Sequence, residues 1–273
     1  MNLNKEKLPG CSLMIATYNW PEALELCLMS VLAQYHKPDE IIIADDGSTS
    51  TTKEIIDRIA GQTSIPIVHI WHPDKGFQLA TIRNKAIKAA KYDYLIQIDG
   101  DIILNQYFVY DHLKFAAEGS FLCGSRVSLS PKKSAALLEH KEFRLKYTDM
   151  PFATIFNSFR SAVLSRLLAD RYKKRKLHAL RGCNMSFWRN DLLRVNGYNQ
   201  DITGWGSEDF ELAMRLINSG IKKRFLKFGA VVYHIYHKES NKDKLQRNIK
   251  ILEQTIKHKS TWIDHGISSV DSK

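Results

Sequence analysis

The chain has 273 residues, 44% of them hydrophobic and 25% charged, enough for one large globular core or two modest ones, which excludes a disordered or fibrous polypeptide. Forty basic against 29 acidic side chains leave a formal charge of +11, which draws polyanions (nucleic acid, anionic lipid or a phosphorylated substrate) without choosing among them. No apolar stretch approaches the roughly 20 residues that span a bilayer, the first residues lack a signal-peptide core, and Cys11, Cys27, Cys123 and Cys183 have no zinc-type spacing and read as unlinked thiols in a reducing compartment.

In chain order, Cys11 to Thr17 reads as a buried strand, broken by Tyr18-Asn-Trp-Pro21. Residues 22–32 carry a helical apolar pattern in Ala23, Leu24, Leu28 and Val31. A second apolar run, 40–44, ends at Asp45-Asp-Gly-Ser48, and a helix is expected over 51–60. Strands over 67–71 and 94–98 bracket a helix at 80–90. Short strands alternating with helices predict an α/β fold with a largely parallel sheet, in which ligands collect beyond the strands' carboxyl ends. Further on, 105–118 is expected to be helical, 121–127 a strand and 134–170 mainly helical. Arg181-Gly-Cys-Asn184 leads into the apolar Met185-Ser-Phe-Trp188. A helix is expected from Glu208 to Ser219, stopped by Gly220, then a strand over 228–233 and a basic helical tail with Leu245, Ile249, Leu252 and Ile256 at heptad-like spacing.

Two acidic clusters carry the chemistry. Asp99 and Asp101 flank Gly100 at the end of the strand-like run 94–98, where a turn can converge both carboxylates on one hard cation, magnesium or manganese. Such a pair is also common in exposed turns. Asp45-Asp46 could accept hydrogen bonds from a base or ribose, or simply form an Asp-Gly turn. His234 and His237 follow the last strand-like run, and imidazole can join carboxylates on a transition-type cation. Glu208 and Asp209 open a helix whose positive end favours acids without any chemistry. The preceding Gly204-Trp-Gly206 is costly to order, however, and sets an indole beside them. A sugar ring can stack on such an indole while a carboxylate takes a hydroxyl proton.

Together these motifs resemble the inverting glycosyltransferases of family 2, with a GT-A nucleotide-sugar fold and a galactosyltransferase-type carboxyl half, over about Cys11 to Lys238. Ala16-Thr-Tyr-Asn19 matches the family's first-strand motif, and Asp46 its uracil-contacting aspartate. Gly76-Phe-Gln-Leu-Ala-Thr-Ile-Arg-Asn84 is similar to the donor-site segment. The resemblance implies donor contacts at Thr17, Asn19, Asp46, Gln78, Arg83, Asp99 and Gly100, and a metal, Mn2+ or Mg2+, on Asp101 and His237, with His234 the weaker candidate. Gly204-Trp-Gly-Ser-Glu-Asp209 resembles Gly-Trp-Gly-Gly-Glu-Asp, which implies acceptor contacts at Trp205 and Glu208 and the catalytic base at Asp209. Two departures stand out: Ser207 replaces the second glycine, and Ala86 stands where glycine is common.

What the resemblance implies is metal-dependent transfer of a hexose or N-acetylhexosamine from a UDP-sugar to a hydroxyl of a bacterial lipopolysaccharide, capsule or exopolysaccharide, often lipid-linked. The expected organisation is one catalytic domain over 1–240, with a donor half at about 10–127 and an acceptor half at about 128–240, followed by a basic tail over 241–273. The expected location is cytoplasmic and peripheral to the inner membrane face, without the amino-terminal anchor of the animal relatives. The apolar stripe Val163, Leu164, Leu167, Leu168 beside the basic run 171–176 could rest on an anionic membrane surface, or face the core. Two rivals are a nucleotidyltransferase acting on a sugar phosphate, for which residues 11–21 offer no triphosphate loop, and a basic polyanion-binding module. No nucleic-acid motif is present, and nucleic acid is not expected as a partner.

Overall fold

The computed structural model describes residues 8–150, 152, 154–172, 176, 179–238 and 241–270. A seven-stranded sheet runs through its centre. Strands β1 (Cys11–Thr17), β2 (Glu40–Asp45), β3 (Ile67–Trp71) and β4 (Tyr94–Asp99) lie parallel in the order β3-β2-β1-β4. Between them run α1 (Pro21–Leu32), α2 (Ser50–Ala60) and α3 (Leu79–Ala89), the crossovers that parallel pairing requires. Leu13 and Ile15 pack into one core and Met14 into the other, so β1 is apolar on both faces. Pro21 at the first position of α1 and Glu22 in its first turn suit a helix start.

Beyond β4 the sheet turns mixed. β8 (Met185–Trp188) pairs antiparallel to β4 and to β6 (Ser120–Gly124), and β6 pairs parallel to β9 (Lys222–Leu226) at the edge. A second sheet holds β5 (Ile102–Leu104), β10 (Val232–His234) and β7 (Arg126–Ser128), with β10 in the middle. This sheet packs with α1 and α5 (Pro131–His140) around Leu26, Ile103, Val127, Leu137 and Tyr233. Its position lets β10 bring its terminal histidine beside the end of β4.

Four expectations need correction. The strand expected over 121–127 breaks at Ser125, and its two halves join different sheets. The span 105–118 is helical only in α4 (Phe108–Phe115). Among the described residues the span 134–170 is helical only in α5, two single turns and α6 (Ala162–Leu168), and Phe143, Leu145, Met150 and Ile155 between them pack against the second sheet's core instead. The strand expected at 228–233 shortens to β10, and β9 takes an edge position, where its lysines reach solvent or, for Lys223, a backbone carbonyl.

The carboxyl part is tied down by α7 (Arg189–Arg194), α8 (Glu208–Asn218) and α9 (Leu245–His258). Arg215 and Glu211 form a fully buried pair one helical turn apart on α8. Arg215 also donates to the carbonyls of Val195 and Gly197, and Glu211 accepts from the Thr255 hydroxyl of α9. A buried ion pair is tolerated when its remaining donors and acceptors are satisfied in this way. Ser207 precedes α8 with φ +77°, a conformation that glycine adopts at less cost. Among the described residues no helix is long and apolar enough to cross a membrane.

Candidate active site

The site lies at the carboxyl ends of β1, β2 and β4. Asp99 is the last residue of β4, and the turn through Gly100 carries Asp101 back toward β10. The amide of Gly100 donates to the Ala16 carbonyl at 2.7 Å, and a Cβ at Gly100 would press on the Thr17 hydroxyl at 3.1 Å. The close approach of the two strand ends therefore suits glycine at 100.

Asp101 accepts from two histidines. His234 Nε2 lies 3.3 Å and His237 Nε2 3.1 Å from Asp101 Oδ2, and one ligand atom from each residue falls within a 4.8 Å cluster. Burial pushes the Asp101 carboxyl up, but the hydrogen bonds and charge of His234 and His237 hold it far below the usual range. The His237 imidazole is raised, chiefly by Asp101. Asp101 Oδ1 is buried with no hydrogen-bond partner, a hard-oxygen donor suited to a cation. His237 Nδ1 engages the Lys238 carbonyl at 2.7 Å, and the Trp20 ring stands edge-on at 5.8 Å, which fixes the ring's orientation. One carboxylate and two imidazoles suit a divalent first-row transition ion. His234, the weaker candidate in sequence, is as well placed as His237.

Asp99 and Asp209 are joined by Arg83 of α3. The buried guanidinium donates to Asp99 Oδ1 at 3.0 Å and to Asp209 Oδ1 at 3.1 Å, and lies over the Tyr198 ring at 5.2 Å. Asp209 Oδ1 also accepts from Gln97 at 3.2 Å and the Tyr198 hydroxyl at 2.9 Å. All three donors choose the same oxygen. The other, Oδ2, lies over Gly182, where an added Cβ would fall 1.8 Å from it. Burial lifts Asp99, with Asp101 and Asp209 adding repulsion against the pull of Arg83. Burial, with Asp209 next, also pushes the Glu208 carboxyl up to about 7, and Glu208 Oε2 has no hydrogen-bond partner.

The donor-side residues sit on the other flank. Asp46 bonds His72 Nε2 at 2.7 Å and accepts the Gln78 amide at 2.8 Å, so it pins the segment that enters α3. Asn19, at φ +44°, accepts from the Thr49 amide and donates its own amide to Ser48 Oγ. Thr17 is buried, and its carbonyl accepts from the Asp46 amide. Trp205 is half-exposed between Gly204 and Gly206, both with positive φ, with the Lys242 ammonium 5.4 Å from its ring. From α9, Asn248 donates to the carbonyls of Thr203 and Gly206 and so holds this loop.

Gln97, Tyr198, Gly182 and Asn248 were not singled out in sequence. Gln97 alone left a signal, a polar residue within the apolar run 94–98. Ala86 is buried inside α3 and touches none of these groups by hydrogen bond.

The Glycosyl transferase family 2 profile matches residues 12–193, and a profile described as the N-terminal domain of galactosyltransferase matches 164–238, in the carboxyl half. Chondroitin synthase of Escherichia coli is 27% identical over 242 residues, covering 83% of this chain and 35% of that protein. Hyaluronan synthase of Pasteurella multocida is 26% identical over 240 residues, covering 82% of this chain and 24% of that protein. The chain thus spans well under half the length of these relatives. A mannosyltransferase from Pyrobaculum calidifontis, solved with GDP-Man and Mn2+, superposes with a TM-score of 0.62 at 17% identity, over 86% of this chain and 59% of that one. Staphylococcus aureus TarS 1–349, solved with UDP, gives 0.61 at 16% identity, over 92% of this chain and 68% of that one. These superpositions agree with the mixed, mostly parallel GT-A sheet. With two thirds of its length matched by the one profile, the chain belongs to glycosyl transferase family 2.

Proposed function

We propose that the chain transfers a hexose or N-acetylhexosamine, with inversion, from a UDP-sugar to a hydroxyl of a bacterial surface glycan, free or lipid-linked. The observation that carries this reading is the convergence of the Asp101–His234–His237 cluster and the Asp99–Arg83–Asp209 bridge at one end of the sheet. Chondroitin and hyaluronan synthases among the relatives support a glycan product, and UDP in the TarS structure supports the donor class. The donor would lie over about residues 10–127, meeting Thr17, Asn19, Asp46, Gln78, Arg83, Asp99 and Gly100, and the acceptor over about 128–240.

Asp101, His234 and His237 would hold Mn2+ or Mg2+, which when bound neutralises charge on the departing diphosphate. Asp209 Oδ2 takes the proton of the acceptor hydroxyl. The acceptor oxygen forms its bond to the anomeric carbon as the bond to the diphosphate oxygen breaks, the electron pair leaving with UDP. Arg83, Gln97 and Tyr198 all donate to Oδ1, which fixes the carboxylate and leaves Oδ2 for the acceptor proton. Trp205 offers its half-exposed ring for the acceptor sugar to stack on, and Glu208 accepts from an acceptor hydroxyl.

The test is a donor screen with purified protein, Mn2+ and a panel of UDP-, GDP- and dTDP-sugars, reading nucleotide release with and without EDTA. Metal-dependent release from a UDP-sugar is the expected result. Release from a GDP- or dTDP-sugar alone would reject the donor class.

A further inference from the structure

One surface takes no part in this chemistry. Between the second sheet and α6 the chain exposes Phe152 (88%), Phe156 (66%), Val163 (70%) and Leu167 (59%), with Phe159 and Leu164 also exposed. Scattered apolar residues on a surface need no explanation, but this many within sixteen residues do. All of these except Phe152 sit on segments fastened to one turn. Ser161 donates its amide to the Phe228 carbonyl and Ser165 its hydroxyl to the Lys227 carbonyl, while the Lys227 ammonium reaches back to Asn157. The short helical turn Ile155–Asn157 and α6 therefore hang from one turn, and the Phe156 and Phe159 rings lie 6.2 Å apart. Val163 and Leu167, four apart on α6, point the same way, while Ser165 faces inward.

The same region is cationic. Residues 150–169 contain no acidic residue. Beside α6 a shallow cavity of about 240 Å³ is lined by Lys114, Arg166 and Arg224, against the single acid Asp170, which pairs with Arg224. Arg171 and Lys176 are exposed just beyond, and the basic residues at 173–175 lie outside the described residues. An apolar patch with a cationic cup at its rim matches the chemistry of a bilayer whose acyl region accepts aromatic and aliphatic side chains and whose headgroups carry phosphate. A protein partner of average composition would not call for this one-sided charge.

We infer that Phe152, Phe156, Val163, Leu164 and Leu167 insert into the surface of an anionic phospholipid bilayer while Lys114 and Arg166 engage its phosphates. Because β10 runs on from the 227–229 turn to His234, the face lies a few residues of chain from the metal cluster, suited to an acceptor that sits in the same membrane. The inference does not rest on the donor chemistry, since vesicle binding is read without turnover.

The experiment is co-sedimentation of the full chain with vesicles of phosphatidylcholine alone, or with about one third phosphatidylglycerol, at low and high salt. Wild type pellets with the anionic vesicles only, and less at high salt. The Phe152→Ser/Phe156→Ser/Leu167→Ser variant and the Lys114→Glu/Arg166→Glu variant each lose binding by about tenfold or more, while circular dichroism and UDP affinity stay unchanged. Wild type left in the supernatant, or both variants pelleting like wild type, would overturn the inference. So would a dimer in light scattering that the serine variant dissolves without any vesicle binding, since that assigns the face to a second copy.

Discussion

Arg83 donates to Asp209 at 3.1 Å across 126 residues of sequence, and the same guanidinium holds Asp99 at 3.0 Å. The acid at the end of β4 and the acid at the start of α8 are thus fixed relative to one another by one buried cation. Burial alone would lower the charge state of Arg83, but Asp209, Tyr198 and Asp99 raise it, so it stays a cation. Arg83→Lys reaches one carboxylate and leaves the other without its charge partner. Turnover should fall by at least about 100-fold, with a loss of stability on the order of 1 kcal/mol, because Asp99 is partly exposed and Asp209 keeps Gln97 and Tyr198, read by kinetics and urea unfolding. Near-wild-type turnover would show that the bridge is dispensable.

Gly182 makes room for the free oxygen of Asp209. In Gly182→Ala the new methyl collides with Oδ2, and the carboxylate must turn. The expected outcome is a drop of about 100-fold in turnover with UDP affinity retained, measured by steady-state kinetics and calorimetry. An active alanine variant would place the reacting oxygen elsewhere.

Glu208 gives a pH signature. Its carboxyl is pushed up to about 7 by burial and by Asp209, from an ordinary value of 4.5. Between those values the folded state holds the proton that the unfolded state releases, so stability falls as pH rises through this window. Glu208→Gln removes the titration. Its melting temperature relative to wild type should therefore rise between pH 5 and pH 7.5. A constant difference across that range would mean that Glu208 is not perturbed.

Both histidines should matter to the metal. His234→Ala and His237→Ala should each weaken Mn2+ binding by at least about tenfold, followed by calorimetry or by the water-relaxation enhancement of Mn2+. If His234→Ala binds as wild type does, the cluster reduces to Asp101 and His237.

Much of this was legible in the sequence because it is local. The β1, β2 and β4 runs, their acidic ends and the Trp205 loop are each contained within about ten residues, and the strand-then-helix alternation orders them in one sheet. What was not legible depends on long-range packing. Tyr198 meets Gln97 across 101 residues, and Gly182 meets Asp209 only because β8 inserts antiparallel beside β4. His234 gained its place from the second sheet, which no local pattern announced. β9 was hidden by its own lysines, since an edge strand tolerates charges that a central strand does not. The stripe on α6 read equally as a core face or a surface, and only its exposure in the fold separates the two.

Asp209 is proposed to take the acceptor proton at a metal-dependent UDP-sugar site. The most direct test of this role compares Asp209→Asn with wild type in two assays, UDP binding in Mn2+ by calorimetry and turnover with donor and acceptor. Unchanged UDP affinity and a loss of turnover of about 1,000-fold or more are expected. Turnover equal to wild type would contradict this role.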